Sequence, residues 1–155
     1  MDTLTKERRS YVMSRIKSKD TKPELAMKAM LREMEFGFQH DDFSLPGRPD
    51  FSIPDKRAVI FVHGCFFHGC PRHYKPPKSN VKFWVDKVAA NRRRDRRAAR
   101  ALRKLGWAVL TVWEHALSPR RAEAARRRIE SFLRARTLRA YFTGRGSSRS
   151  YPVVA

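Results

Sequence analysis

Residues 50–63 read Asp-Phe-Ser-Ile-Pro-Asp-Lys-Arg-Ala-Val-Ile-Phe-Val-His. Phe51–Ile53 is a short apolar run, and Pro54-Asp55-Lys56 has turn chemistry. Ala58–Val62 is an unbroken run of apolar, mostly β-branched and aromatic residues, the composition of a buried strand. Together they predict a hairpin that opens at Asp50. Upstream, Asp41–Pro49 carries Ser-Leu-Pro-Gly-Arg-Pro and reads as a loop. Before it, Asp20 or Thr21 caps a helix with Pro23 in its first turn. Leu25, Met27, Met30, Leu31 and Met34 are its apolar positions, and Gly37 is the expected stop.

Downstream, Gly64–Asn80 is a loop rich in Cys, His, Pro and Gly. Val81–Leu105 predicts a long helix with apolar Val81, Trp84, Val85, Val88, Ala98, Ala99, Leu102 and Leu105, and Phe83 is expected in the core. Its stripe is interrupted by Asn91, Arg94 and Asp95, which share one face at i, i+3 and i+4 and are either exposed or serve a polar site. Gly106 ends it, Trp107–Trp113 is a second buried strand, and Pro119–Leu138 is a basic amphipathic helix with Ile129, Phe132 and Leu133 inward. The order helix, hairpin, helix, strand, helix implies a three-layer α/β domain with a small mixed sheet and helices on both faces. Residues 1–20 form a basic arm, 21–142 the domain, and 143–155 a Gly/Ser/Arg-rich loose tail.

The chain has 155 residues, one domain's worth, with 41% hydrophobic residues, enough for a packed core. Lys and Arg number 35 against 15 Asp and Glu, so the net charge is +20. Such a chain needs an anionic partner, and nucleic acid is the commonest large anion in a cell. Charge does not separate DNA from RNA. No run approaches the ~20 apolar residues that span a bilayer, and the N-terminus lacks the apolar segment of a secretory signal, so a cytoplasmic, nucleoid-associated location is expected.

Residues 63–73 read His-Gly-Cys-Phe-Phe-His-Gly-Cys-Pro-Arg-His and hold both cysteines and three of the five histidines. Cys65, Cys70 and His73 are soft or borderline ligands at short spacing, and a closed zinc site needs four. His115 follows the Trp107–Trp113 strand, which neighbours the hairpin, and completes a Cys2His2 set. With five histidines present, the identity of the histidine ligands stays open. Asp50, at a strand end, suits Mg2+, which prefers carboxylate oxygen and retained water. His68 has the side chain to deprotonate an attacking water, with His63 touching phosphate or orienting His68, and Glu24 within reach of the metal's waters. The expected acid and lysine of common restriction nucleases are missing from the second hairpin strand; His63 stands there instead. Phe66, Phe67 and Trp84 are either core residues or wedges that open base steps.

Ser44–Phe51, Val59–His68, Phe83-Trp84, Asn91–Asp95, Gly106-Trp107 and Val112–His115, taken in order, resemble the very short patch repair (Vsr) endonucleases. The likeness runs from the arm to about Leu117. It implies a restriction-endonuclease-like fold and Mg2+-dependent nicking of double-stranded DNA 5′ to the thymine of a T:G mispair, the product of 5-methylcytosine deamination. By that likeness Asp50 is the principal Mg2+ ligand, the backbone carbonyl of Val62 a second, His68 the general base, and His63 and Glu24 supporting catalytic residues. Phe66, Phe67 and Trp84 become the intercalating wedge, and the arm, with Met13, Arg9 and Arg15, lies on the DNA with Met13 in the minor groove. A structural Zn2+ falls to Cys65, Cys70, His73 and His115; relatives often carry cysteine where His115 stands. Mismatch-repair proteins are candidate partners, and a monomer suffices because a nick needs one active site. The competing readings are a related nicking or restriction endonuclease with another target, and a non-enzymatic zinc-containing DNA-binding protein.

Overall fold

The computed structural model describes Arg8, Tyr11 and residues 19–142, with side chains in the last helix described through Arg136. Most of the expected arm (including Met13, Arg9 and Arg15) and the tail 143–155 lie outside the described residues. Among the described residues, helices α1 (Lys22–Glu33), α2 (Val81–Lys104) and α3 (Ala122–Phe142) accompany four strands, β1 (Gln39–His40), β2 (Phe51–Ile53), β3 (Ala58–His63) and β4 (Ala108–Trp113). The strand order is β1-β2-β3-β4. The first two pairings are antiparallel, and β3 pairs with β4 in parallel, in register from Ala58↔Ala108 to His63↔Trp113. This is the mixed sheet expected from the order of elements.

Strand alternation sorts the sheet's side chains onto two faces. Ala58, Ile60, Leu110 and Val112 join Met27, Met30 and Leu31 of α1 and Ala125, Ile129 and Leu133 of α3 in the main core. Phe61, His63, Val109 and Thr111 point to the other face, where Ala98 and Ala99 of α2 lie alongside them. Helix α1 starts with a complete capping box, Thr21 and Glu24 each serving the other's backbone amide, and Pro23 sits in its first turn.

Several boundaries differ from the sequence-based expectation. Helix α1 stops at Glu33, not at Gly37: Glu35 takes the left-handed conformation (φ 58°) and the Phe36 amide returns to the Leu31 carbonyl at 3.2 Å, so Phe36 can pack on the core. The two-residue strand β1 was not expected; its pairing with β2, Gln39↔Ser52 and His40↔Phe51, decides it, and no local pattern marks two residues. Helix α3 begins at Ala122 because Pro119–Arg121 form a turn, and it runs on to Phe142. Leu25, Val81, Val85 and Leu105 were assigned to apolar stripes and Phe83 to the core, yet all five are exposed; Phe83 retains 57% of its surface.

Among the described residues, no helix is long and apolar enough to cross a membrane. Gly47 marks where the 41–49 loop meets α2. It adopts φ 79°, and a Cβ there would collide with the Cβ of Ala98. Both the positive φ and the contact demand glycine. Gly47→Ala is expected to destabilise the protein by about 2–4 kcal/mol, since strain and overpacking add. Denaturant unfolding measures it; a change under about 0.5 kcal/mol shows that the loop yields freely.

Candidate active site and metal centre

Parallel pairing of β3 and β4 brings the ends of both strands to one edge of the sheet. Asp50, which precedes β2, lies across from the end of β3, and its Oδ2 accepts the Val62 amide at 2.6 Å. The cleft at this edge is lined by Gly47, Arg48, Asp50, His63, His68 and Asp95, among others. Chain segments far apart in sequence thus present one carboxylate from the hairpin, two imidazoles and a second carboxylate from α2.

His68 Nδ1 and Asp95 Oδ2 are 2.6 Å apart, a charge-assisted hydrogen bond. The His63 ring stacks on that of His68, with centroids 3.9 Å apart and planes 15° from parallel, and its Nε2 is 3.9 Å from Asp95. Helix α2 grips the loop at further points. Asn91 donates to the Phe67 carbonyl at 2.8 Å, and the Arg92 guanidinium donates to the carbonyls of His68 and Gly69. The polar interruption of the α2 stripe is therefore a docking face for the 67–69 loop.

Burial dominates the electrostatics. It raises the Asp50 carboxyl to about 6, the charges of Glu24 and Asp41 push the same way, and the Val62 amide opposes them. Burial lowers His63 to about 4, helped by the His68 charge and opposed by Asp95, so His63 is neutral near pH 7. For Asp95, burial raises the carboxyl, but the His68 hydrogen bond and the His68, His63 and Arg94 charges outweigh it and hold the group below its usual range.

Beyond the cleft, the sulfur and nitrogen donors of Cys65, Cys70, His73 and His115 all lie within 4.8 Å of one another. Cys65 Sγ is 3.1 Å from His115 Nδ1, and Cys70 Sγ is 3.6 Å from His73 Nδ1 and 3.8 Å from His115 Nδ1. Ligand edges around a tetrahedral zinc are about 3.4–3.8 Å, so the donor set fits such an ion. Burial pushes the Cys65 thiol up to about 12 and, with the His73, Arg121 and Arg72 charges, keeps His115 below its usual value. A neutral imidazole is ready to ligate, while the Cys65 thiol requires a cation to ionise. The Glu114 carboxylate accepts the Cys65 amide at 2.8 Å and so ties this centre to the end of β4.

The structure thus gathers Asp50, His63 and His68 in one cleft and the four proposed zinc ligands in another cluster. Glu24 is near enough to act on Asp50 but does not line the cleft; its carboxylate is engaged by Thr21, whose hydroxyl is 2.9 Å away. For Val62 the contact shown is its amide. Phe66, Phe67 and Trp84 form a half-buried cluster, with Phe66 4.9 Å and Phe67 6.2 Å from Trp84 between centroids. Asp95 received no role from sequence; the shared face of Asn91, Arg94 and Asp95 was the signal that pointed to it. Arg92 and Glu114 left no such signal, because their partners are backbone groups of a loop.

The mixed sheet and its helices have a restriction-endonuclease-like arrangement. The catalytic domain of the homing endonuclease I-Bth0305I shares the fold, with a TM-score of 0.51 at 20% identity over 76% of this chain and 98% of that one. Residues 1–74 match the family model for the DNA mismatch endonuclease Vsr. The chain is 44% identical over 129 residues to the type II nicking enzyme V.XorIIP of Xanthomonas oryzae pv. oryzae, covering 82% of this chain and 94% of the relative. It is 40% identical over 136 residues to the DNA mismatch endonuclease Vsr of Escherichia coli K12, covering 85% and 87%. The chain belongs to the Vsr family of DNA endonucleases.

A carboxyl raised by folding costs stability wherever it is ionised. That cost is absent below its ordinary 3.8 and complete above about 6. Asp50→Asn is therefore expected to stabilise the metal-free protein at pH 7.5, by up to about 3 kcal/mol, and to change little at pH 4. Thermal unfolding at both values checks this; an equal shift at the two would assign the effect to packing instead.

Proposed function

We propose that this enzyme nicks one strand of duplex DNA 5′ to the thymine of a T:G mispair, with Mg2+ as the catalytic cation and Zn2+ as the structural one. The observation that carries the reading is the hydrogen-bonded His68–Asp95 pair facing the cleft that also holds Asp50. The names of the relatives, a mismatch endonuclease and a nicking enzyme, support the substrate and the single cut.

His68 gives its Nδ1 proton to the Asp95 hydrogen bond, which leaves Nε2 as the acceptor. From there it takes a proton from water, as a general base oriented by a carboxylate does. The water oxygen bonds to phosphorus as the bond to the 3′ oxygen breaks, and that oxygen leaves and is protonated from solvent. The products are a 3′ hydroxyl and a 5′ phosphate. Stacked His63 keeps the His68 ring in orientation. Asp50 would hold the cation, with the Val62 carbonyl as a second protein oxygen, and Glu24 would add negative potential there. A Mg2+ ion held there would supply charge to neutralise phosphate oxygens and stabilise the leaving oxygen.

Phe66, Phe67 and Trp84 press on the base stack beside the cut. Opening a mispaired step costs less than opening a paired one, and this favours the T:G site. Met13, Arg9 and Arg15 of the arm lie along the DNA. Cys65, Cys70, His73 and His115 would hold Zn2+, which would stiffen the loop that carries the aromatic rings and His68. The second reading, nicking of a different target, is favoured by the relatives named only as nicking enzymes.

Duplexes labelled on each strand, carrying T:G, A:C or no mismatch, test the proposal. Cutting of the thymine strand of the T:G duplex alone, with Mg2+ and not with chelator, is expected; equal cutting of all three favours the second reading. Asp95→Asn should lower kcat by about 10²–10⁴-fold while binding persists, and normal turnover would remove His68 as the base. The purified protein should hold one equivalent of zinc. Its removal, or Cys70→Ala, should lower Tm by about 10 °C or more, as for loss of about 3–5 kcal/mol; a metal-free protein of unchanged Tm would end the zinc assignment.

A further inference from the structure

A second groove adjoins the catalytic cleft and shares Phe61, His63 and Asp95 with it. It runs along α2 towards the helix's C-terminal end. Its floor is the sheet face at Phe61, Val109 and Thr111, and its wall is built from Arg96, Arg100 and Arg103. These three arginines stand at i, i+4 and i+7, one stripe of the helix. All three are exposed, and none has a carboxylate or hydrogen-bond partner among the described residues. Two arginines on α3 are paired instead, Arg127 with Glu123 at 3.1 Å and Arg134 with Glu130 at 2.8 Å. The carboxylate that lines the groove, Asp95, sits at its catalytic end and is committed to His68.

Unpaired like charges on one stripe repel each other, which costs helix stability. They are tolerated without loss where an anion of matching spacing binds. At 1.5 Å per residue, the stripe from Arg96 to Arg103 is about 10 Å long. One strand of B-DNA places a charge about every 3.4 Å of its axis, so this length faces about three phosphates. The half-buried floor, with a single hydroxyl at Thr111, offers nothing that would read base edges.

We infer that this groove is a phosphate-binding tract: Arg96, Arg100 and Arg103 hold the backbone of the cleaved strand as it leaves the catalytic cleft. The inference rests on the proposed nicking activity only for the choice of strand. The tract fixes the register of the scissile phosphate against His68 without contributing sequence preference. Arg100 and Arg103, furthest from the cleft, are the residues through which it can be tested apart from the chemistry.

Binding is measured by fluorescence anisotropy, without divalent cation, over a salt series on T:G and fully paired duplexes. Arg100→Ala with Arg103→Ala should weaken binding to both duplexes by about ten- to fiftyfold at 0.1 M salt. It should also reduce the slope of log K against log salt by about 1.8, that is about 0.9 per lost phosphate contact. Arg100→Lys with Arg103→Lys should keep the slope, since charge is retained, and Arg127→Ala with Arg134→Ala should leave both quantities unchanged. Single methylphosphonates placed along the cleaved strand should weaken the wild type within about three positions of the cut, and the double alanine variant should lose that sensitivity at the positions furthest from the cut. Unchanged slope and affinity in the double alanine variant would overturn the tract. Sensitivity to methylphosphonates on the uncut strand alone would overturn the choice of strand. The result for the double alanine variant does not depend on whether T:G is the target, because paired DNA reports the same contacts.

Discussion

Everything functional in this protein depends on the parallel, in-register pairing of β3 with β4. Six residue pairs from Ala58↔Ala108 to His63↔Trp113 bring the two strand ends to one level. Past that level the chain delivers His63, Cys65 and His68 from one strand and Glu114 and His115 from the other. A slip of one residue would turn His63 to the opposite face and move Cys65 away from His115, because strand side chains alternate. A parallel pair also requires a long crossover, and that crossover is α2. The element that makes the pairing possible is the one that carries Asp95 into the cleft.

The catalytic edge and the cysteine–histidine centre then work as two anchors of one loop. On one side, Asn91, Arg92 and Asp95 hold the backbone and ring of residues 67–69. On the other, Cys65 and Cys70 bracket the same segment within the four-ligand cluster, and Glu114 takes the Cys65 amide. A loop with two glycines and an adjacent Cys-Pro step has little regular structure of its own, and these contacts supply what hydrogen-bonded secondary structure would otherwise provide. The rigidity matters for the proposed role of His68, because a general base misplaced by about 1 Å loses much of its effect.

Charge is divided by function within the same small domain. The cleft concentrates carboxyl groups, with Asp50 held at a raised pKa of about 6 by burial and by Glu24 and Asp41. The faces around it are dense in arginine. A buried acid of this kind destabilises the folded state until a cation neutralises it, which is the usual exchange of stability for function at an active site. The surrounding positive potential attracts a polyanion such as DNA.

Sequence alone determined the elements with strong local signals. The Phe51–Ile53 and Ala58–Val62 hairpin, the Trp107–Trp113 strand and the long helix over residues 81–105 were legible because burial imposes a period on composition. The ligand-rich 63–73 string named the candidate metal residues, since cysteine and histidine at that density have few other uses. Tertiary structure decided what local patterns cannot encode. The two-residue β1 exists through its pairing with β2. Val81, Phe83 and Val85 are exposed although their spacing reads as an apolar stripe. Asp95 acquired its meaning only when the crossover set it 2.6 Å from His68, 27 positions away in the chain. A side chain's chemistry is written in the sequence, whereas its partner is chosen by packing between distant segments.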